Sequence, residues 1–486
     1  MRGASSQSGT AYGDSVRPRG AVRRAAGVAV VLAGLASCSA ESQPPASAPR
    51  PESNPSGPSA TPTAAQQTTD PATTQPLVLV AHHSRGDLRV PTSVARRIRR
   101  DSVARWTDLD GSDDRLRVVQ GVAPVTRDPN AVALVPATAV RPWVRTVVVG
   151  GIDPLRRPAA YPLQVDGPAP DEVTTLRVVG DIMLDRGVTA AAPPGDPTAP
   201  LRPMRRTLAG ADLTVANLES TLSENGEPQQ GGDSFAADPS VLPALAGLGV
   251  DAVSLANNHS GDYGTRALLE SVAAFRGTGL HHFGAGRDLA AASRPLVLRR
   301  NGVRFGFVGF NAIGETLPAT PSRPGALSVA MPPRTGPLDR DDLRHVLGLV
   351  RDLRSRVDVV VVLPHWGTQY THVAEPSQRY VARRLAQAGA DLVAGGHPHW
   401  VQGLERAGDT VVAHSLGNYL FDMDFMEQTM EGVVLTATFW GERMVGVELD
   451  PYRMDDAFAP RPAVGDVADG ILEDVWAHSS GPFRSP

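Results

Sequence analysis

Five times along the chain a short apolar run stops at a polar cluster: VVGD at Val178–Asp181, VANLE at Val215–Glu219, SLANNH at Ser254–His259, VVLPHWG at Val361–Gly367 and VAGGHPH at Val393–His399. Each run is β-branched and closed by glycine or a polar residue, the pattern of a strand buried on both faces of a parallel sheet. Ligands of open α/β sheets sit beyond the carboxyl ends of the strands. Asp, Glu, Asn and several His side chains delivered to that one edge predict a shared metal site.

The chain has 486 residues, too many for one ordinary domain, so at least two folded units plus tails are expected. A formal net charge of -4 leaves no basic footprint and argues against a nucleic-acid partner. The sole cysteine, Cys38, follows Arg17, Arg19, Arg23 and Arg24 and an apolar stretch from Ala25 to Ala36, the layout of an export signal. Leu35-Ala36-Ser37-Cys38 resembles a bacterial lipobox, in which the cysteine is lipidated; a plain secretory signal is the alternative. Residues 39–76 are dominated by Ser, Pro, Ala, Thr, Gln and Glu, bury too little apolar surface to fold, and read as a tether. An extracytoplasmic, lipid-anchored protein that does not span the membrane is the expectation.

From Leu77 to about Pro170 the order of strands at Leu77–Ala81, Leu116–Val119 and Val132–Pro136, with an Arg-rich helix at Val94–Asp101, resembles one lobe of a phosphate-type periplasmic binding protein. A small α/β accessory domain is expected there, and Arg96, Arg97, Arg99 and Arg100 form either a solvated face or an anion site. A second, larger domain follows, spanning 171–455, with a tail after it. Strands alternate with helices at Arg340–Arg354 and Pro376–Ala388, and Asn301-Gly302 marks a hairpin. Mixed sheets covered by helices are predicted.

GDIMLDRG (Gly180–Gly187), ANLES (Ala216–Ser220), SLANNHSGDYG (Ser254–Gly264), HHFGAG (His281–Gly286), VGFN (Val308–Asn311), PHWGTQY (Pro364–Tyr370), GGHPHWVQG (Gly395–Gly403) and HSLGNYLFD (His414–Asp422) form an ordered set. Together they resemble the CapA family of capsule and poly-γ-glutamate biosynthesis proteins, related to calcineurin-like metallophosphoesterases. The resemblance implies a four-layer α/β/β/α sandwich with mixed sheets, and one or two divalent ions (Mn, Fe, Zn or Mg) held by Asp181, Glu219, Asn258, His365, His397 and His399. His259 would be the acid at the leaving group, with Asp262 orienting it or capping the next helix. Asn217, Trp366, Gln402, His414 and Asn418 would line the substrate pocket, although Trp366 and Trp400 also read as packing residues. An anionic cell-envelope polymer is the implied substrate and a membrane synthase an implied partner.

Such residues suit the chemistry independently, because two ions roughly 3.5–4 Å apart need bridging carboxylates and neutral imidazoles. His397 and His399 can both face inward only if the loop between them is kinked, a constraint Pro398 supplies. Two departures stand out: Asp181-Ile182-Met183 replaces the Asp-x-His of metallophosphoesterases, a lack that CapA relatives commonly share, and Gln369 stands where those relatives often carry an acid. Asp181 alone could equally be a helix N-cap. His82, His83 and His372 are assigned to solvent, and His281 and His282 to the surface or to supporting positions. Three readings stay open: a metal-dependent hydrolase or transferase, a non-catalytic polymer-binding subunit, and an anion-binding protein led by the N-terminal lobe.

Overall fold

The apolar runs become central strands of two sheets in the computed structural model, which describes residues 73–485 apart from 101, 103, 104 and 110. The export signal, Cys38 and nearly all of the tether lie outside the described residues. In the first sheet Val173–Ile182, Leu213–Leu218, Ala252–Ser254 and His281–Phe283 lie side by side in parallel, and Glu431–Trp440 and Arg443–Met454 extend it antiparallel. In the second, Val303–Asn311, Val359–His365, Leu392–Ala394 and Thr410–Ala413 are parallel, with antiparallel edges at Leu296–Arg300 and Leu404–Ala407.

The two sheets face each other through Val178, Val215, Phe307, Val361 and Val411. Their outer faces are covered by helices: Val179, Ala216 and Val253 pack with Leu242 and Leu245, while Val308, Val360 and Val393 pack with Val346, Val350 and Leu385. The result is the expected four-layer α/β/β/α sandwich. Burial on both faces explains why the parallel strands read as unbroken apolar runs, each fully buried Val or Leu contributing roughly 1.5–3 kcal/mol.

Local chemistry sets the helix ends. Arg340–Arg354 begins where the Asp339 side chain accepts from the N–H groups of Asp341 and Asp342, and it buries Leu343, Val346, Leu347, Val350 and Leu353 along one stripe. Pro376–Ala388 opens with proline at its first turn and reciprocal capping by Glu375 and Gln378, and closes at Gly389 with φ 107°. At the predicted hairpin Asn301 and Gly302 take φ 47° and 78°, the left-handed pair of a type I′ turn.

Residues from Thr74 onward fall in one compact unit. Within it Thr74–Ala81 is central to a separate five-stranded sheet with Ala131–Pro136, Arg117–Val119, Arg145–Thr146 and Gln164–Asp166. One face packs its own core around Ile98 and Trp106, and the other packs Val78 and Val80 toward Trp440 and Val445 of the sandwich. Arg96, Arg97, Arg99 and Arg100 are exposed, as a solvated helix face requires. His82 and His83 are not in solvent: their relative exposures are 3% and 1%. The expectation failed because they end a strand that docks on the sandwich, with His83 Nε2 3.2 Å from the Val447 carbonyl. After Asp455 the chain adds the strand Pro460–Pro462 and the helix Asp466–His478, whose Ile471, Val475 and Trp476 join the core between the sheets.

Candidate metal centre

Backbone irregularity aims the first carboxylate. Register shifts between Val178 and Asp181, and a Cβ on Gly180 would lie 1.9 Å from the Gly417 carbonyl oxygen. Glycine therefore admits the strand Asn418–Leu420, and the Asp181 N–H donates to that carbonyl at 3.1 Å. The Asp181 carboxylate accepts from Asn217 Nδ2 and from the His397 N–H, both at 2.9 Å. It caps no helix, because Asp185 is the N-cap of Arg186–Ala191.

Asn217 Nδ2 also approaches Glu219 Oε2 at 3.2 Å and His365 Nδ1 at 3.3 Å. Glu219 Oε1 and both ring nitrogens of His397 are buried without a hydrogen-bond partner. One donor atom each from Glu219, His365 and His397 lies within 4.8 Å of the others. Buried polar atoms are almost always satisfied, so unpartnered donor atoms on Glu219 and His397, gathered with His365, fit a divalent cation there. Asn258 borders them, its Oδ1 2.8 Å from His365 Nε2 and its Nδ2 donating to Glu315 Oε2 at 2.7 Å.

His397 and His399 take φ 93° and 58° on either side of Pro398. Left-handed backbone at non-glycine residues costs on the order of 1–3 kcal/mol each and is sustained here by the packed loop. The kink brings both rings inward, with centroids 5.6 Å apart. His399 Nδ1 lies 2.8 Å from Asn418 Oδ1, so Nδ1 carries the proton and Nε2 is free. On the adjoining wall His259 Nδ1 is 2.7 Å from Asp262 Oδ2, and the ring stacks on Phe235 at 4.0 Å. The Asp262 carboxylate also accepts from the Phe235 N–H and from Gln230, so it supports His259 and does not cap the helix Gly264–Ala274.

Electrostatics agree with a site lacking positive charge. Burial, then the neighbouring Glu219, pushes Asp181 up to about 7, and burial raises Glu219 too. Burial holds His365 down at about 4, His397 well below the ordinary range and His399 below it as well. These imidazoles are therefore neutral, the form that binds metal. For His259 burial opposes the charged form, but the Asp262 hydrogen bond and the charges of Asp262 and Glu219 outweigh it and raise the pKa.

Three expected pocket residues lie elsewhere. Trp366 is fully buried in the helix-side core beside Phe310, and its indole N–H donates to the His414 carbonyl. Gln402 donates to the Thr371 and Val373 carbonyls and braces that loop. His414 turns its Nε2 to Glu405 at 3.3 Å. Each belongs to a motif but lies outside the strands, at 366, 402 and 414, where the loop path and not strand alternation decides which way the side chain turns. His372 is not in solvent either; its ring lies 4.8 Å from Trp400 and 5.2 Å from His478. His281 is exposed and His282 packs on Phe275, both away from the cluster. Met183 is buried in the helix-side core and offers no ligand.

Three further residues reach the cluster: Gln230 and Glu315, which sit in loops without a motif, and Tyr370, whose ring stacks on His399 at 6.1 Å. Only Tyr370 carried a signal, as the last residue of PHWGTQY. A cavity of about 580 Å³ is lined by Leu184, Asp185, Leu222 and Pro239 among others, and none of the clustered acids or imidazoles lines it.

The family model described as bacterial capsule synthesis protein PGA_cap matches residues 175–423, just over half of the chain and every motif-bearing strand. The chain belongs to this family, the CapA type. Capsule biosynthesis protein CapA of Bacillus anthracis is 30% identical over 258 residues, covering 52% of this chain and 61% of that one. PGA biosynthesis protein CapA of Bacillus subtilis is 27% identical over 256 residues, covering 52% and 64%. A probable polyglutamine synthesis accessory protein of Mycobacterium tuberculosis is 29% identical, covering 52% and 76%. The chain thus spans under two thirds of the two Bacillus CapA proteins. Among solved structures, a hypothetical protein of Thermus thermophilus is 18% identical with TM-score 0.36, covering 58% of this chain and 99% of that one. A 5'-nucleotidase of Candida albicans is 13% identical with TM-score 0.35, covering 61% and 57%.

Proposed function

We propose that this CapA-type chain is an envelope protein of capsule or poly-γ-glutamate biosynthesis whose strand-end cluster holds one or two divalent cations and hydrolyses or transfers bonds of an anionic polymer. One observation carries the metal reading: Glu219 Oε1 and the His397 ring nitrogens are buried without hydrogen-bond partners, and one donor atom each from Glu219, His365 and His397 is gathered together. Glu219, His365 and His397 would form the centre of the donor set, with Asp181, Asn258 and His399 around them. Bound there, such a cation (Mn, Fe, Zn or Mg) supplies water activation and charge neutralisation. His259, fixed through Nδ1 by Asp262, directs Nε2 toward the same space and holds the proton a leaving group needs. Cys38 would anchor the protein outside the cytoplasmic membrane, beside a membrane synthase.

A second reading has its own support. Met183 stands where an Asp-x-His ligand would, and its burial in the helix-side core removes one donor. A non-catalytic subunit that grips nascent polymer through bound metal needs no complete second shell. Elemental analysis of the purified chain, followed by hydrolysis assays on phosphoesters and γ-glutamyl peptides with and without His259→Ala, separates the two. Turnover abolished by the substitution supports the enzyme. Stoichiometric metal without turnover supports the binding subunit, and absence of tightly held metal defeats both.

A further inference from the structure

A second group of metal-type donors lies outside the strand-end cluster and uses the C-terminal helix beyond the region matched by the family. On Asp466–His478, Asp474 and His478 are four residues apart and so share a face. His372 comes to them from the loop after Val359–His365. One donor atom from each of the three lies within 4.8 Å of the others, and all three residues are partly buried. His372 Nε2 is 3.5 Å from Asp474 Oδ2. The edge of a zinc tetrahedron with Zn–N bonds of about 2.0–2.1 Å is about 3.4 Å, so this pair already stands at ligand spacing.

Hydrogen bonds choose the free nitrogen on both rings. His372 Nδ1 lies 2.7 Å from the Val401 carbonyl and His478 Nδ1 lies 2.8 Å from the Asp474 carbonyl. A carbonyl only accepts, so each Nδ1 is the N–H and each Nε2 keeps its lone pair. Metal-bound histidines are characteristically held in this way, the other ring N–H on a carbonyl or carboxylate. The rings stack at 5.2 Å and 23°, and Trp400 covers the His372 ring.

We propose that His372 Nε2, Asp474 Oδ2 and His478 Nε2 form a second divalent-metal site, completed by water. Two imidazoles and one carboxylate without thiolate suit zinc and its borderline neighbours. The site is structural: it pins the C-terminal helix to the loop that follows His365 and, through Val401, to the loop that follows His399. It shares no residue with the strand-end cluster, so either site can fail alone.

Zinc chloride titrated into the purified, metal-stripped full chain, with zinc content and thermal melting as readouts, tests this. His478→Ala and Asp474→Asn are each expected to bind one zinc fewer per chain than wild type. Each is also expected to lose most of the zinc-induced rise in Tm, with affinity at this site weakened at least tenfold. Should His478→Ala fail to fold, Asp474→Asn decides, because that side chain is 41% exposed and the replacement keeps its size. Equal zinc content and an equal Tm response in wild type and the folded variants overturns the proposal.

Discussion

His259 Nδ1 and Asp262 Oδ2 meet at 2.7 Å, which leaves His259 Nε2 facing Glu219 Oε1 at 3.8 Å. The acid fixes one tautomer of the ring and favours its protonated form. Asp262→Asn keeps the shape but removes the charge and frees the imidazole to flip. Turnover of the proposed reaction is expected to fall roughly 10- to 100-fold, the size seen when outer partners of site histidines are removed. Steady-state kinetics with KM separated from kcat checks it: a loss in kcat with KM nearly unchanged is expected, and unchanged kcat would show that Asp262 merely packs.

Asn418 plays the same part for His399, through Oδ1 at 2.8 Å, while its own Nδ2 is held by the Thr429 carbonyl. Asn418→Ala leaves His399 Nδ1 unpartnered in a buried place. Metal affinity at the strand-end cluster is expected to weaken roughly 10- to 100-fold. Competition with a chelator of known affinity measures the change.

Gly180 and Gly348 predict opposite signs for the same substitution. A Cβ on Gly180 would meet the Gly417 carbonyl oxygen at 1.9 Å, whereas one on Gly348 would meet nothing within 4 Å. Gly180→Ala must push apart the strands that aim Asp181, and a loss of about 1–3 kcal/mol is expected, with weaker metal binding. Gly348→Ala, inside the helix Arg340–Arg354, is expected to add about 0.5–1 kcal/mol. Urea unfolding of both variants beside wild type reads the difference.

The parallel strands and both long helices were legible because burial on two faces and a 3.6-residue stripe leave plain marks: Val359–His365 and Arg340–Arg354 form where the residues indicate. The acids, amides and imidazoles at strand ends were legible for the same reason, since a strand delivers its last residue to a fixed edge. Trp366, Gln402 and His414 were misplaced because membership of a motif does not fix which way a side chain turns once the strand has ended. Gln230 and Glu315 reach the cluster from irregular loops, whose path no periodicity encodes. His82 and His83 looked solvated because nothing local shows that a strand end will be covered by a segment more than 360 residues away, as the His83–Val447 contact is.

That contact makes a pH prediction. His83 is buried between Trp476 and Phe483, with ring centroids 4.9 and 5.0 Å away. Burial first, then the nearby Arg145 charge, lowers its pKa to about 3. In the unfolded chain the same imidazole takes a proton near 6.5, so below that pH the unfolded state binds a proton the folded state refuses. The stability from neutral His83 is complete above about pH 6.5 and is lost as pH falls toward 3, by up to about 1.4 kcal/mol per pH unit. His83→Phe removes the titration while keeping a ring against Trp476, at the cost of an unpaired Val447 carbonyl, about 1–2 kcal/mol at neutral pH. Urea unfolding at several values between about pH 7 and pH 4.5 is expected to show a shallower acid slope in the variant, and parallel slopes would mean that His83 is protonated in the folded protein.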